Sequence, residues 1–287
     1  TRRERYVTVQ PAELHRGAIR LRDVDIHFGE GRTAVQALSG VDLDVAAGEL
    51  VSILGPSGCG KSTIVGAVAG FTRVSSGALE VDGQAVRAPG PDRGVVFQQH
   101  TLFPWKTVLE NVGFGLKMQR VGKQERIRTA REILAHVGLS EFAEHYPHQL
   151  SGGMQQRVNL ARVLVNRPRV ILMDEPFCSL DAQTRLQMQQ MLLRLWHEFH
   201  MTVVFVTHDV DEAVFLSDRV VVLSRRPGSV KADLPVALPR PRTVDLLTSQ
   251  EFMSVKREAL ELLLDSGREQ SRRGAARDRH LLHHPIG

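Results

Sequence analysis

"ELVSILGPSGCGKSTIVGAVAG", residues 49–70, runs from an apolar stretch through a glycine-rich turn into a helix-prone segment. "LVSIL" has the length and composition of a fully buried strand. The turn "GPSGCGKST", Gly55–Thr63, fits G-x-x-x-x-G-K-[ST] and has the strand-then-helix setting this motif requires. Its glycines let successive backbone N–H groups wrap a phosphate, and the helix start adds positive potential. Gly55, Pro56, Ser57, Gly58, Cys59, Gly60, Lys61, Ser62 and Thr63 therefore form a candidate nucleotide cradle. Lys61 should reach the β- and γ-phosphates, and the Ser62 hydroxyl should ligate Mg²⁺.

Outward from this stretch, strand and helix patterns alternate. "AIRLRDVDIHF" and "VDLDV" are β-prone, and residues 74–98 turn β-like again, ending in "RGVVFQQ". From about 107 to 165 the pattern is helical. "PRVILMDEP" reads as a buried strand bounded by prolines. "RLQMQQMLLRLWHEF" repeats Met188, Leu192, Leu195, Trp196 and Phe199 at helical spacing. "TVVFVTHD" and "DRVVVLS" are strands. This alternation predicts a mainly parallel sheet covered on both faces, with the helical block 99–165 inserted into it. "EFMSVKREALELLLDSG" reads as one amphipathic helix, and "REQSRRGAARDRHLLHHPIG" as a disordered end.

Parallel strands deliver their C-terminal residues to a common edge, so strand ends are where chemistry is expected. "VILMDEP" brings Asp174 there, able to hold Mg²⁺ through water. Glu175 follows it, able to polarise an attacking water. His208 ends "FVTHD" and is placed to touch a γ-phosphate; Gln98 ends "GVVFQ" and could sense both metal and water. A second anion-binding helix start, "LSGGMQQRV" at 150–158, contains no lysine and follows no strand.

Together these residues resemble the ATP-binding cassette (ABC) ATPases over about residues 18–245, with the motifs in family order: phosphate loop 55–63, glutamine loop "VVFQQ", signature "LSGGMQQ", Walker B "VILMDEP", D-loop "CSLD" with Asp181, and switch histidine "VTHD". The signature departs from the commonest form at Met154, where a glutamine usually stands. The resemblance implies an α/β fold with a P-loop NTPase (RecA-like) core, an N-terminal antiparallel β subdomain and an inserted α-helical subdomain at about 99–165. It implies a nucleotide-binding domain at 17–245, followed by a C-terminal helix and basic tail at 246–287. ATP and Mg²⁺ are the implied cofactors. Lys61, Gln98, Glu175 and His208 take the catalytic roles, and Ser62, Gln98 and Asp174 the metal. An adenine-stacking aromatic is implied upstream of the phosphate loop; Phe28 is the candidate, though its residue pattern also fits a strand core. Ser151, Gly152 and Gly153, with Asp181, would close on the γ-phosphate held by a second, head-to-tail cassette.

The bulk numbers set outer bounds. With 287 residues, 42% hydrophobic and 24% charged, the chain reads as globular. No apolar run approaches the roughly 18–20 residues that span a bilayer. "TRRERYVTVQ" lacks the apolar core of a secretory signal, and two cysteines make no disulfide framework, which favours a reducing compartment. The net charge of +5 gathers at Arg2, Arg3, Arg5 and the tail, with no aromatic-plus-basic stretch, so nucleic acid is not an expected partner. Cys59 lies in the phosphate loop, where thiol modification is expected to block ATP and prior ATP to protect. "LFPW", "PFCSLDAQTR" and "LSRRPGSV" resemble the nitrate/sulfonate/taurine group of bacterial importer ATPases. That resemblance implies a peripheral subunit on the cytoplasmic side of the inner membrane. Its partners would be a second cassette (as a homodimer), a transmembrane permease and, indirectly, an extracytoplasmic solute-binding protein. Leu102, Phe103, Pro104 and Trp105 read equally as an exposed knuckle for a permease helix or as packing within the helical block. The competing classes are a non-transport ABC ATPase, disfavoured by the gap of only about fifty residues between glutamine loop and signature, and an exporter ATPase.

Overall fold

The structure is a computed structural model that describes residues 16–29, 31–99 and 101–264; the basic tail and Arg2, Arg3 and Arg5 lie outside the described residues. The central sheet has six strands in the order β10-β9-β3-β8-β7-β6. These are β3 (Leu50–Leu54), β6 (Arg93–Val96), β7 (Val170–Asp174), β8 (Thr202–Thr207), β9 (Arg219–Leu223) and β10 (Val230–Pro235). All are parallel except β10, which closes the edge antiparallel to β9. β3 and β8 are buried at every residue, as their unbroken apolar runs require.

Alternate residues of these strands enter two cores. Leu50, Leu54, Ile171, Met173, Val203 and Phe205 face one side, under α5 (Gly152–Leu164), α6 (Ala182–Phe199) and α7 (Val210–Leu216). Val51, Ile53, Val170, Leu172, Val204 and Val206 face the other. There they meet α1 (Lys61–Ala69) and a second, antiparallel sheet of order β2-β1-β4-β5. That sheet comprises β1 (Ile19–Phe28), β2 (Val35–Val45), β4 (Ser76–Val81) and β5 (Gln84–Ala85). So helices cover one face, while the other is covered by one helix and a sheet. Each fully buried Val, Leu or Ile contributes about 1.5–3 kcal/mol relative to exposure, which makes this two-sided burial the main stabilising term.

Between β6 and β7 the chain forms α2 (Val108–Val112), α3 (Phe114–Met118), α4 (Lys123–His136) and α5. α2 starts with a reciprocal capping box between Thr107 and Glu110. The buried amide of Asn111 pins the preceding turn: it accepts from Phe103 N and donates to the carbonyls of Phe103, Lys106 and Thr107. The "LFPW" turn is thereby split. Phe103 packs against Phe114 and the Arg162 guanidinium, whereas Trp105, which touches the Phe103 ring, is 71% exposed. A last helix, α8, runs over 250–264 and packs through Phe252 and Ala259. Among the described residues, no helix is long and apolar enough to cross a membrane.

Candidate functional site

The parallel strands β3, β8, β7 and β6 end on one edge and bring their following residues together. β3 leads into the phosphate loop, which wraps directly onto α1. Gly58 and Gly60 have φ of 75° and 105°, left-handed backbone that a side chain would strain. A side chain on Gly60 would also strike Leu38 of β2, 2.5 Å from its Cβ position. Lys61 is buried, its Nζ donating to the carbonyls of Gly55 (2.7 Å) and Pro56 (3.1 Å). The ammonium is thus folded back on its own loop.

One strand, β8, separates β3 from β7, yet Ser62 Oγ donates to Asp174 Oδ1 at 3.0 Å because α1 crosses the strand ends. Burial pushes the Asp174 carboxyl up from its ordinary pKa, and the Ser62 hydrogen bond opposes this. Glu175 takes a left-handed φ of 46°, held by its N–H donating to Val206 O across the sheet (2.9 Å). Such a conformation costs on the order of 1–3 kcal/mol, and it turns the side chain out of the strand direction. Glu175 Oε2 lies 3.0 Å from His208 Nδ1, a ring that is 57% exposed directly after β8. Gln98 stands two residues beyond β6 and is exposed, so it follows the strand end and does not form it. Phe28 ends β1 with a 46% exposed ring, opposite Val35, three residues along β2 from the Leu38 beneath Gly60.

Cys59 corrects an expectation. Its thiol is 1% exposed and packs into the core below the loop, where burial pushes its pKa up. Only its backbone is available to a nucleotide, so thiol labelling protected by ATP is not what this geometry supports.

Ser151 caps α5, its Oγ accepting from Met154 N. Gly153 leaves room for Thr184 of α6, since a Cβ there would lie 2.5 Å from the Thr184 methyl carbon. Gly152 has no such internal reason: a Cβ would meet nothing within 4 Å. Asp181 caps α6 by accepting from Thr184 N, which holds its carboxyl below the usual range. Sequence reasoning missed the support behind His208. Thr207, Asp209, Gln189 and Glu212 form a hydrogen-bonded chain, and Arg185 ties Asp209 to Leu180 O. In the sequence, the acids after His208 look like a helix-start cluster.

A lysine phosphate loop, an acid pair and a histidine on one edge of a parallel sheet define a P-loop nucleoside triphosphatase. Comparison with known proteins narrows this. The ABC transporter family pattern matches residues 38–178. The chain is 51% identical over 231 residues to an uncharacterized ABC transporter ATP-binding protein of Methanocaldococcus jannaschii, covering 80% of this chain and 85% of that one. It is 44% identical to the nitrate import ATP-binding protein of Synechocystis, covering 88% of this chain and 96% of the relative. It is 51% identical to the taurine import ATP-binding protein of Rhizobium johnstonii, covering 70% and 77%. A dimeric ATP-binding cassette solved in a post-hydrolysis state with ADP and Pi superposes with a TM-score of 0.67 at 35% identity, covering 77% of this chain and 100% of that one. The chain belongs to the ABC transporter family, as one of its ATP-binding, ATP-hydrolysing subunits.

Proposed function

We propose that the chain drives bacterial import of a small solute of the nitrate, taurine or aliphatic-sulfonate kind, working as a pair of cassettes on the cytoplasmic side of the inner membrane. One observation carries the reading: Lys61, Ser62, Asp174, Glu175 and His208 converge on one edge, while Gly152 opens onto space its own chain leaves empty. The first set can hold and cleave a triphosphate; the second leaves room for a ligand from outside the chain.

In this reading the N–H groups of 55–63 wrap the phosphates. Lys61 exchanges its two loop carbonyls for phosphate oxygens. Among the described residues no cluster of three His, Cys, Asp or Glu could hold a metal by itself. One hydroxyl and one carboxylate, Ser62 and Asp174, do fit Mg²⁺, which favours one or two protein oxygens plus substrate phosphates. Gln98 would join them. Held by Ser62, Asp174 and Gln98, Mg²⁺ would supply charge neutralisation of the phosphates. Glu175 polarises the attacking water, His208 contacts the γ-phosphate, and Phe28 stacks on adenine. Ser151, Gly152 and Gly153, with Asp181 nearby, close on the γ-phosphate of the other cassette, so ATP binding draws the pair together and hydrolysis releases it. Residues 17–245 form the nucleotide-binding domain and 246–287 an appended helix and tail. Pro104 and the exposed Trp105 receive a permease helix, a solute-binding protein delivers cargo from the far side, and nucleic acid has no part.

Glu175→Gln should bind ATP, fail to cleave it and run as a dimer on gel filtration with Mg-ATP. A Glu175→Gln chain that stays monomeric counts against the reading. Deleting the gene should abolish uptake of one member of a nitrate, taurine and alkanesulfonate panel; unchanged uptake of all of them removes the importer assignment.

A further inference from the structure

Glu212 has no part in the mechanism above, yet it is a carboxylate only 5% exposed in the first turn of α7. Neither ordinary reason for an acid at a helix start explains it. The capping role belongs to Asp209, whose Oδ1 accepts from Glu212 N at 3.2 Å. The neighbouring acid, Asp211, faces outward and pairs with Lys256. Burial disfavours the Glu212 charge and pushes its pKa up. An apolar side chain of similar volume would fill the space without that penalty. What Glu212 supplies is two acceptors. Oε2 accepts from Thr207 Oγ1 at 2.6 Å, and Oε1 accepts from Gln189 Nε2 of α6 at 3.1 Å.

The Thr207 bond fixes more than Thr207. A hydroxyl has one proton; once it is committed to Glu212, the oxygen's lone pairs point to the other side. There Thr207 Oγ1 accepts from Asp209 N at 3.0 Å. The two residues bracketed by this relay, Thr207 and Asp209, are the immediate neighbours of His208. The His208 ring is more than half exposed and meets Glu175, so packing does little to aim it. Where the ring starts from, and so whether it reaches Glu175, depends on the placement of its backbone.

We propose that Glu212 is a positioning residue for His208, orienting the 207–209 turn through Thr207 and referencing it to α6 through Gln189. This rests on the reading that His208 serves hydrolysis. Glu212 itself is buried and acts through Thr207 and Gln189.

The test uses the full chain with Mg-ATP, in single-turnover and steady-state assays. Glu212→Leu keeps bulk and removes both acceptors; it should lower kcat about tenfold with KM for ATP within about twofold, the scale of a misdirected catalytic group. Glu212→Gln can still accept from Thr207, with the Gln189 amide turned to present its oxygen, and should stay within about twofold of wild type. Thr207→Val breaks the same relay at its other end and should repeat the split, which keeps the proposal testable if Glu212→Leu folds poorly. In a His208→Ala background, Glu212→Leu should cost nothing further. The His208 Cε1–H resonance, assigned from a His208→Gln variant, should move or broaden in Glu212→Leu. Unchanged kcat in both relay variants overturns the proposal, as does an equal loss in the His208→Ala background. If His208→Ala alone keeps full activity, the catalytic reading of His208 falls. The resonance then decides the positioning claim, and an unmoved His208 signal overturns it.

Discussion

Lys61 shows how a single residue is tied to its own loop. A buried ammonium must have acceptors, and the carbonyls of Gly55 and Pro56 supply them until phosphate does. Lys61→Ala should bind nucleotide weakly and turn over no ATP, as read by nucleotide titration and phosphate release; wild-type ATPase activity would defeat the site. Asp174 carries the opposite tension. Burial raises its folded pKa above the unfolded value of about 3.8. Between those two values the native state keeps a proton that the unfolded chain has lost, so stability falls as pH rises through that window and stays reduced above it. Asp174→Asn escapes this cost. In buffer free of nucleotide and metal, its Tm should equal or exceed wild type at pH 7.5, with the difference shrinking toward pH 4, while its ATPase activity is lost. A Tm difference that widens toward acid would contradict the sign. The placement of Lys61, Asp174, Glu175 and His208 beside strand ends was legible in the sequence because each sits inside a short motif next to a strand. The inward direction of the Cys59 thiol was not legible, because a loop residue's facing depends on what packs beneath it.

Elements were legible in proportion to how locally they are determined. β3, β7 and β8 announce themselves as apolar runs buried on both faces. α6 announces itself by its 3.6-residue spacing, with Met188, Leu192 and Leu195 fully buried. Pairings were less legible: β1 also meets β4 across a long stretch of chain, and β10, close to β9 in sequence, turns antiparallel at the edge. The cap on α7 was not legible. Its last carbonyls are met by Arg242, which is 6% exposed and donates to Val214 O, Phe215 O and Ser217 O, from a position well beyond the helix. Burial pulls this guanidinium down to about 10, so it is held at some cost by the carbonyls it satisfies. Arg242→Met keeps length and removes every donor, leaving buried carbonyls unmet. It should destabilise the fold by about 2–3 kcal/mol, seen in urea unfolding. A change within a few tenths would mean that other groups close that helix end.

At the scale of the whole molecule, the proposed mechanism has each nucleotide held between the loop of one chain and the signature turn of another. That division can be tested by mixing. Lys61→Ala removes the loop half. Gly152→Asp removes the signature half: the side chain enters open space, so the chain should fold, but it sets a carboxylate where phosphate must come. Either variant alone has both composite sites broken. In a mixed pair, the Gly152→Asp chain brings an intact loop and the Lys61→Ala chain an intact signature, and these meet in one site. The second site collects both defects. Random pairing makes half the dimers mixed, each with one sound site of two, so activity should recover to about a quarter of wild type if one site turns over alone. If one sound site cannot fire without the other, the mixture should still trap one ATP per mixed pair when the Gly152→Asp chain also carries Glu175→Gln, because that chain supplies the loop and the Glu175 of the sound site. Two dead variants that stay dead, and trap no nucleotide in any proportion, would mean that each chain completes its own site; a Gly152→Asp chain active by itself would mean that the open face at Gly152 serves something else.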